Sequence, residues 1–161
     1  MKYIKTSLLL LLIMALASCG PKAISDFDTE ALTNEIQQRF DAFVGNMNSL
    51  DGQALSDFYS DDERFYWVED GKVQYANKEA LAASLNGLVG MLSSSKMDVL
   101  ETRVEVTGKS TALFYAEYEQ ALTMSSGGGF EINGAMTILM QKEEGVWRFL
   151  VGHSSTKKER G

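Results

Sequence analysis

Residues 98–154 constrain this chain most. Four stretches there, Asp98 to Val106, Thr111 to Thr123, Phe130 to Gln141 and Val146 to Ser154, are rich in aromatic and β-branched residues and are separated only by short turns near Gly108, Ser125–Gly129 and Gly145. Strands joined by such short turns have room only for antiparallel pairing, because a parallel return needs a crossover of a dozen residues or more. A four-stranded meander is therefore expected. The Gly127-Gly128-Gly129 run lacks the following helix and lysine of a phosphate-binding loop, so it reads as a hairpin tip.

The helical signals all precede this block. Leu32, Ile36, Phe40, Phe43, Met47 and Leu50 recur at spacings of three and four, with Asp26 or Asp28 available as the N-cap. Asp51-Gly52 breaks that helix, and Leu55, Phe58 and Tyr59 mark a short second one ending at Ser60-Asp61-Asp62. The run Arg64 to Val68, then Asp70-Gly71, then Lys72 to Tyr75 predicts a tight hairpin, since Asp-Gly supplies the positive φ angles of a primed turn. Asn77 caps a third helix striped by Leu81, Leu85, Leu88 and Leu92 and ended by Ser93 to Ser95. Helices first and strands later give an α+β domain, with three N-terminal helices packed on one face of a curved antiparallel sheet.

The N-terminus carries a different kind of information. Lys2 and Lys5 precede an apolar core from Ser7 to Ala17, which ends in Leu16-Ala17-Ser18-Cys19. This is the outline of a signal peptide, and its core falls short of the roughly 20 residues that cross a bilayer. Leu-Ala-Ser-Cys resembles the lipobox of bacterial lipoproteins, which implies a cut before Cys19, a lipid on its thiol and attachment to the membrane through it. Residues 1–18 are then the signal peptide, and residues 19–26, with Pro21, the tether. The domain occupies residues 27–156, and residues 157–161 form a charged tail. Gly20 is not the aspartate that resembles an inner-membrane retention signal, so the expected location is the outer membrane, facing the periplasm.

Charge and inventory then narrow the chemistry. The chain carries 15 Lys and Arg against 22 Asp and Glu, and loss of Lys2 and Lys5 with the signal peptide leaves 13 against 22, or −9. Such a surface repels phosphate backbones, so nucleic acid is not an expected partner. Cys19 is the only cysteine and His153 the only histidine. With the thiol acylated, disulfides and thiolate chemistry drop out, and a lone histidine leaves no ligand set for a metal. No metal and no cofactor are expected.

Ala54-Leu55-Ser56-Asp57-Phe58-Tyr59-Ser60-Asp61-Asp62, Asp70-Gly71-Lys72-Val73 followed by Asn77-Lys78-Glu79-Ala80-Leu81, and Gly145-Val146-Trp147-Arg148-Phe149 ending in His153-Ser154-Ser155 together resemble the nuclear transport factor 2-like superfamily, and within it the SnoaL-like proteins. The resemblance implies a cone-shaped, cystatin-like sheet whose concave face and first helix enclose a cavity for apolar ligands or substrates, and a homodimer through the sheet's outer face. It does not imply one function, because that cone serves isomerases, dehydratases, cyclases and binding proteins alike.

The ketosteroid isomerase pattern is missing from its expected places. The hairpin position of its aspartate base falls on Trp67, residues 27–50 contain no tyrosine, and Phe130 to Gln141 contains no aspartate. SnoaL-type cyclases and scytalone-dehydratase-like enzymes resemble one another in using histidine and aspartate, which leaves His153 as the candidate general acid or base. Alternation puts Trp147, Phe149, Val151 and His153 on one face. His153 then titrates in an apolar pocket, unless it is a strand-end histidine bonded to a loop. Phe65, Trp67, Tyr118, Met136, Trp147 and His153 are the expected ligand-binding residues, with core filling as the other reading of the apolar ones. Glu117 and Glu119 are expected on the outer face or at a subunit interface, and Glu101, Arg103 and Glu105, which alternate with Leu100, Thr102, Val104 and Val106, in a cross-strand ion-pair ladder. The functional expectation is a lipid-anchored protein that binds a small apolar molecule or a partner without catalysis; the alternative is a lyase or isomerase working through His153.

Overall fold

Helix α1, Thr29–Ser49, starts where the Asp28 carboxylate accepts a hydrogen bond from the Ala31 amide at 3.0 Å, and it buries Ile36, Phe40, Phe43 and Met47 along one stripe. In the computed structural model of the chain, residues 27–157 are described. The signal peptide, the whole tether with Cys19 and the tail beyond Lys157 lie outside them. Among the described residues no helix is long and apolar enough to cross a membrane.

Helix α2 is a single turn, Gly52–Ser56, shorter than expected. Phe58 continues it only as a turn, its amide bonded back to the Leu55 carbonyl at 3.3 Å, and the chain leaves the turn at Tyr59 because the backbone there pairs with the last strand: the Phe149 amide donates to the Phe58 carbonyl at 2.8 Å and the Ser60 amide to the Phe149 carbonyl at 3.0 Å. Strands β1, Tyr66–Glu69, and β2, Lys72–Tyr75, form the expected hairpin, with φ of 49° at Asp70 and 78° at Gly71. Helix α3, Lys78–Met91, is capped by Asn77 as predicted. It passes directly into β3, Leu92–Gly108, so Ser93 to Ser95 begin a strand rather than end a helix, and Leu92 leaves the helical stripe. Strands β4, Thr111–Met124, β5, Gly129–Glu143, and β6, Val146–Thr156, complete one six-stranded sheet in the order β2-β1-β6-β5-β4-β3. The β3 to β6 pairs are antiparallel and only β1 with β6 is parallel.

The curved sheet wraps its concave face around α1. Phe40 meets Phe114 with ring centroids 4.3 Å apart, and Phe43 packs against Phe58, Tyr59 and Phe149. Along β4 the inward row is Phe114, Ala116, Tyr118 and Leu122, as alternation predicts, and Glu117 and Glu119 point outward.

Of the register shifts in the sheet, two bear on which side chains reach the concave face. In β3, Val99 pairs with Tyr118 and Glu101 with Glu117, so Leu100 is the inserted residue and is 59% exposed instead of facing inward. In β6, Phe149 pairs with Met140 and Val151 with Leu139, so Leu150 is inserted. Before the bulge Trp147 and Phe149 face the core; after it the inward set is Gly152 and Ser154, paired with Ile138 and Met136. His153 pairs with Thr137 on the convex side.

Gly152 serves this arrangement directly, since a Cβ there would lie 2.0 Å from the Trp67 ring. Replacing Gly152 with alanine is expected to cost about 1–3 kcal/mol by overpacking, read as a lower urea midpoint at unchanged slope. An unchanged midpoint would mean that the indole does not rest on this backbone.

Candidate functional site

At the wide end of the cone the concave face is not filled. A cavity of about 280 Å³ remains between the sheet, the C-terminal half of α1 and the inner face of α3. Trp67, Tyr118 and Met136 line it, together with Tyr59, Tyr75, Met97 and Ile132; Met47 from α1 and Leu81, Leu85 and Leu88 from α3 close it over.

Two of its aromatic walls rest on glycine. Trp67 lies over Gly152, and Tyr118 lies across Gly134, where a Cβ would come within 3.0 Å of the phenol oxygen. Tyr59 stands almost perpendicular to Trp67, with centroids 5.6 Å apart and planes at 79°, so the two rings form a corner. Phe65 does not line the cavity; it is buried behind Tyr59, edge to face at 6.1 Å. Trp147 also lies elsewhere, near the closed end, where its indole N–H donates to Glu35 at 3.0 Å beside Lys142. Those two donors hold the Glu35 carboxyl below its ordinary range.

His153 is exposed on the convex side, above an open depression shared with Asp70, Gly71, Ser155 and Thr156. The expectation of a titratable imidazole in the pocket fails because the insertion at Leu150 shifts the parity of β6 by one residue. Ser154 takes the inward place.

The cavity also has a charged group that is absent from the expected site residues, Glu69 at the end of β1. It shares an inward parity with Trp67. The Trp67 indole N–H donates to the Ser154 hydroxyl at 3.2 Å, and that hydroxyl lies 3.4 Å from a Glu69 carboxylate oxygen. Burial pushes the Glu69 carboxyl above 4.5, with a smaller upward push from Asp70 and opposition from the bonds to Ser154 and Trp67. Tyr59 is raised beyond the ordinary phenol range, chiefly by full burial and then by Glu69, and Tyr118 is raised for the same two reasons. Tyr75 bonds to Ser84 at 2.9 Å across the mouth, and Gln120 bonds to Ser95 at 3.0 Å.

No group of three or more His, Cys, Asp or Glu placed to hold a metal occurs among the described residues.

The SnoaL-like domain model matches residues 36–157. No curated protein matches the sequence. Among solved structures, the chain is similar to a nuclear transport factor 2-like superfamily protein from Salmonella enterica serovar Typhimurium, with TM-score 0.71 and 13% identity over 83% of this chain and 96% of that one. It is similar to a type 2 hexachlorocyclohexane dehydrochlorinase, with TM-score 0.69 and 17% identity over 83% and 90%. A protein with a cystatin-like fold from Caulobacter vibrioides gives TM-score 0.64 and 19% identity over 78% and 89%. At these identities the likeness is one of fold.

The raised Glu69 carboxyl gives a signed expectation. The folded chain holds that proton more tightly than the unfolded chain, so the stabilisation is complete below the unfolded value and is lost as pH rises through the folded one. The urea midpoint of Glu69→Gln, relative to the parent, is expected to climb as pH rises from about 4.5 and then level off. A difference constant with pH would contradict the burial of this carboxylate.

Proposed function

The chain belongs to the SnoaL-like family, and we propose that it binds a small, largely apolar molecule in the cavity between α1, α3 and the sheet, without catalysis of its own. The observation that carries this reading is the wall itself: aromatic and methionine side chains enclose about 280 Å³, near the small end of the range for ligand sites of about 300–1,000 Å³. Methionines at positions 47, 97 and 136 suit a ligand whose shape varies, because their side chains adapt. With His153 on the far side of the sheet, the cavity has no imidazole to move a proton.

A second reading follows from one feature. Glu69 is a desolvated carboxylate in an aromatic cavity, the setting in which a general base for a lyase or isomerase is found. The family is compatible with it, since the similar dehydrochlorinase is an enzyme.

We also propose that the domain is held to the outer membrane by a lipid on Cys19, on the strength of the Leu-Ala-Ser-Cys run after a short apolar core.

Two experiments test these readings. N-phenyl-1-naphthylamine, a neutral fluorescent probe, is expected to brighten on the parent chain and to lose at least tenfold in affinity on Met136→Trp, which fills the cavity, with circular dichroism unchanged. Equal affinity for both proteins would place the probe elsewhere and contradict the cavity reading. For the tether, Cys19→Ser expressed in a bacterium that processes lipoproteins is expected to leave the membrane fraction, whereas retention there would rule the anchor out.

A further inference from the structure

Sixteen side chains line the cavity, and Glu69 is the only charged one among them; no Lys, Arg or His is present. Its described hydrogen-bond partner, Ser154, is neutral, and no ion pair to it occurs among the described residues. A half-buried carboxylate with no countercharge is costly, and a cation brought to it offsets part of that cost. Around it stand Tyr59, Trp67, Tyr75 and Tyr118, whose ring faces attract positive charge. Tyr59 and Trp67 meet edge to face at one corner of the wall, with centroids 5.6 Å apart. The rest of the wall, Met97, Ile132, Met136 and the α3 leucines, asks for an apolar body.

We infer that the cavity is a site for a hydrophobic amine: an alkyl- or aryl-ammonium ion whose nitrogen is held by Glu69 within the aromatic corner and whose apolar part fills the space under α3. This rests on the cavity reading above and narrows it to one ligand class. A fatty acid or other anion would meet Glu69 with nothing to balance its charge, and a neutral apolar molecule would leave the carboxylate uncompensated. The chain's net charge of −7 acts in the same direction, raising the concentration of cations near the mouth.

Three probes that share one ring and one chain length separate the classes: 2-phenylethylamine, 2-phenylethanol and phenylacetate. They would be titrated calorimetrically at pH 7.5 into the full chain and into Glu69→Gln and Met136→Trp. The expected order on the parent is amine at least tenfold tighter than alcohol, with phenylacetate weakest. Glu69→Gln is expected to bring the amine to the alcohol's affinity while leaving the alcohol unchanged, and Met136→Trp to weaken both. If the alcohol binds as well as the amine to the parent and loses affinity on Met136→Trp, the cavity binds ligands and the amine assignment is overturned. A preference for the amine that survives in Glu69→Gln overturns it too, by making surface charge the cause. Binding of none of the three overturns it, with the naphthylamine experiment left to judge the cavity. Because the amine-to-alcohol ratio is read on the parent itself, the assignment can fail even if a variant does not fold.

Discussion

One inserted residue, Leu150, decides which chemistry the concave face presents. A strand's side chains alternate strictly, so one extra residue exchanges the two faces for the remainder of the strand. Ahead of the insertion β6 gives the core Trp147 and Phe149; beyond it β6 gives the cavity Gly152 and Ser154 and turns His153 outward. The glycine lets the Trp67 indole lie flat against the strand, and the serine links that indole to Glu69. Without the insertion, the large Val151 and His153 would occupy the places where Trp67 now packs.

The same sheet is filled at one end and hollow at the other, for reasons of side-chain volume. Where α1 crosses β4, Phe40 and Phe114 meet closely, and Glu35, Lys142 and Trp147 seal the edge beyond them. Towards the other end of α1 the inward row of β4 passes Ala116, Tyr118 and Gln120, and α3 covers the gap with leucines that reach the cavity without filling it. The packing that stabilises the fold and the space that admits a ligand are thus separated along the cone. A substitution at Met136 or Glu69 acts on the cavity while leaving the Phe40–Phe114 contact intact.

Much of this was readable from the chain. Strand alternation, the Asp70-Gly71 turn and the caps at Asp28 and Asn77 are local signals, and local physics governs all of them. Helix α2 ends earlier than its spacing predicts because pairing of Phe58 and Ser60 with the distant Phe149 overrides the helical spacing of Leu55, Phe58 and Tyr59. Bulges are harder still, since leucine at 100 or 150 is an ordinary strand residue and the insertion exists only relative to a partner strand. That is why simple alternation predicts His153 inward and the structure has it outward. Glu69 is hard to read from the sequence because it adjoins the turn, where a carboxylate is ordinarily solvated; its two-residue spacing from Trp67 is the signal that places it inward. Gly134 and Gly152, each in the middle of a strand, also hinted at close approach by a large ring.

The central claim is that Glu69, and not His153, is the ionisable group that faces the ligand. It is tested most directly by NMR titration of the Glu69 side-chain carboxyl carbon and the His153 imidazole in a single pH series, with and without saturating 2-phenylethylamine. The account predicts a Glu69 midpoint above 4.5 in the free protein that falls when the amine is bound, while the His153 resonances superimpose in the two series. A Glu69 curve indifferent to the amine, or a His153 curve displaced by it, would contradict the account.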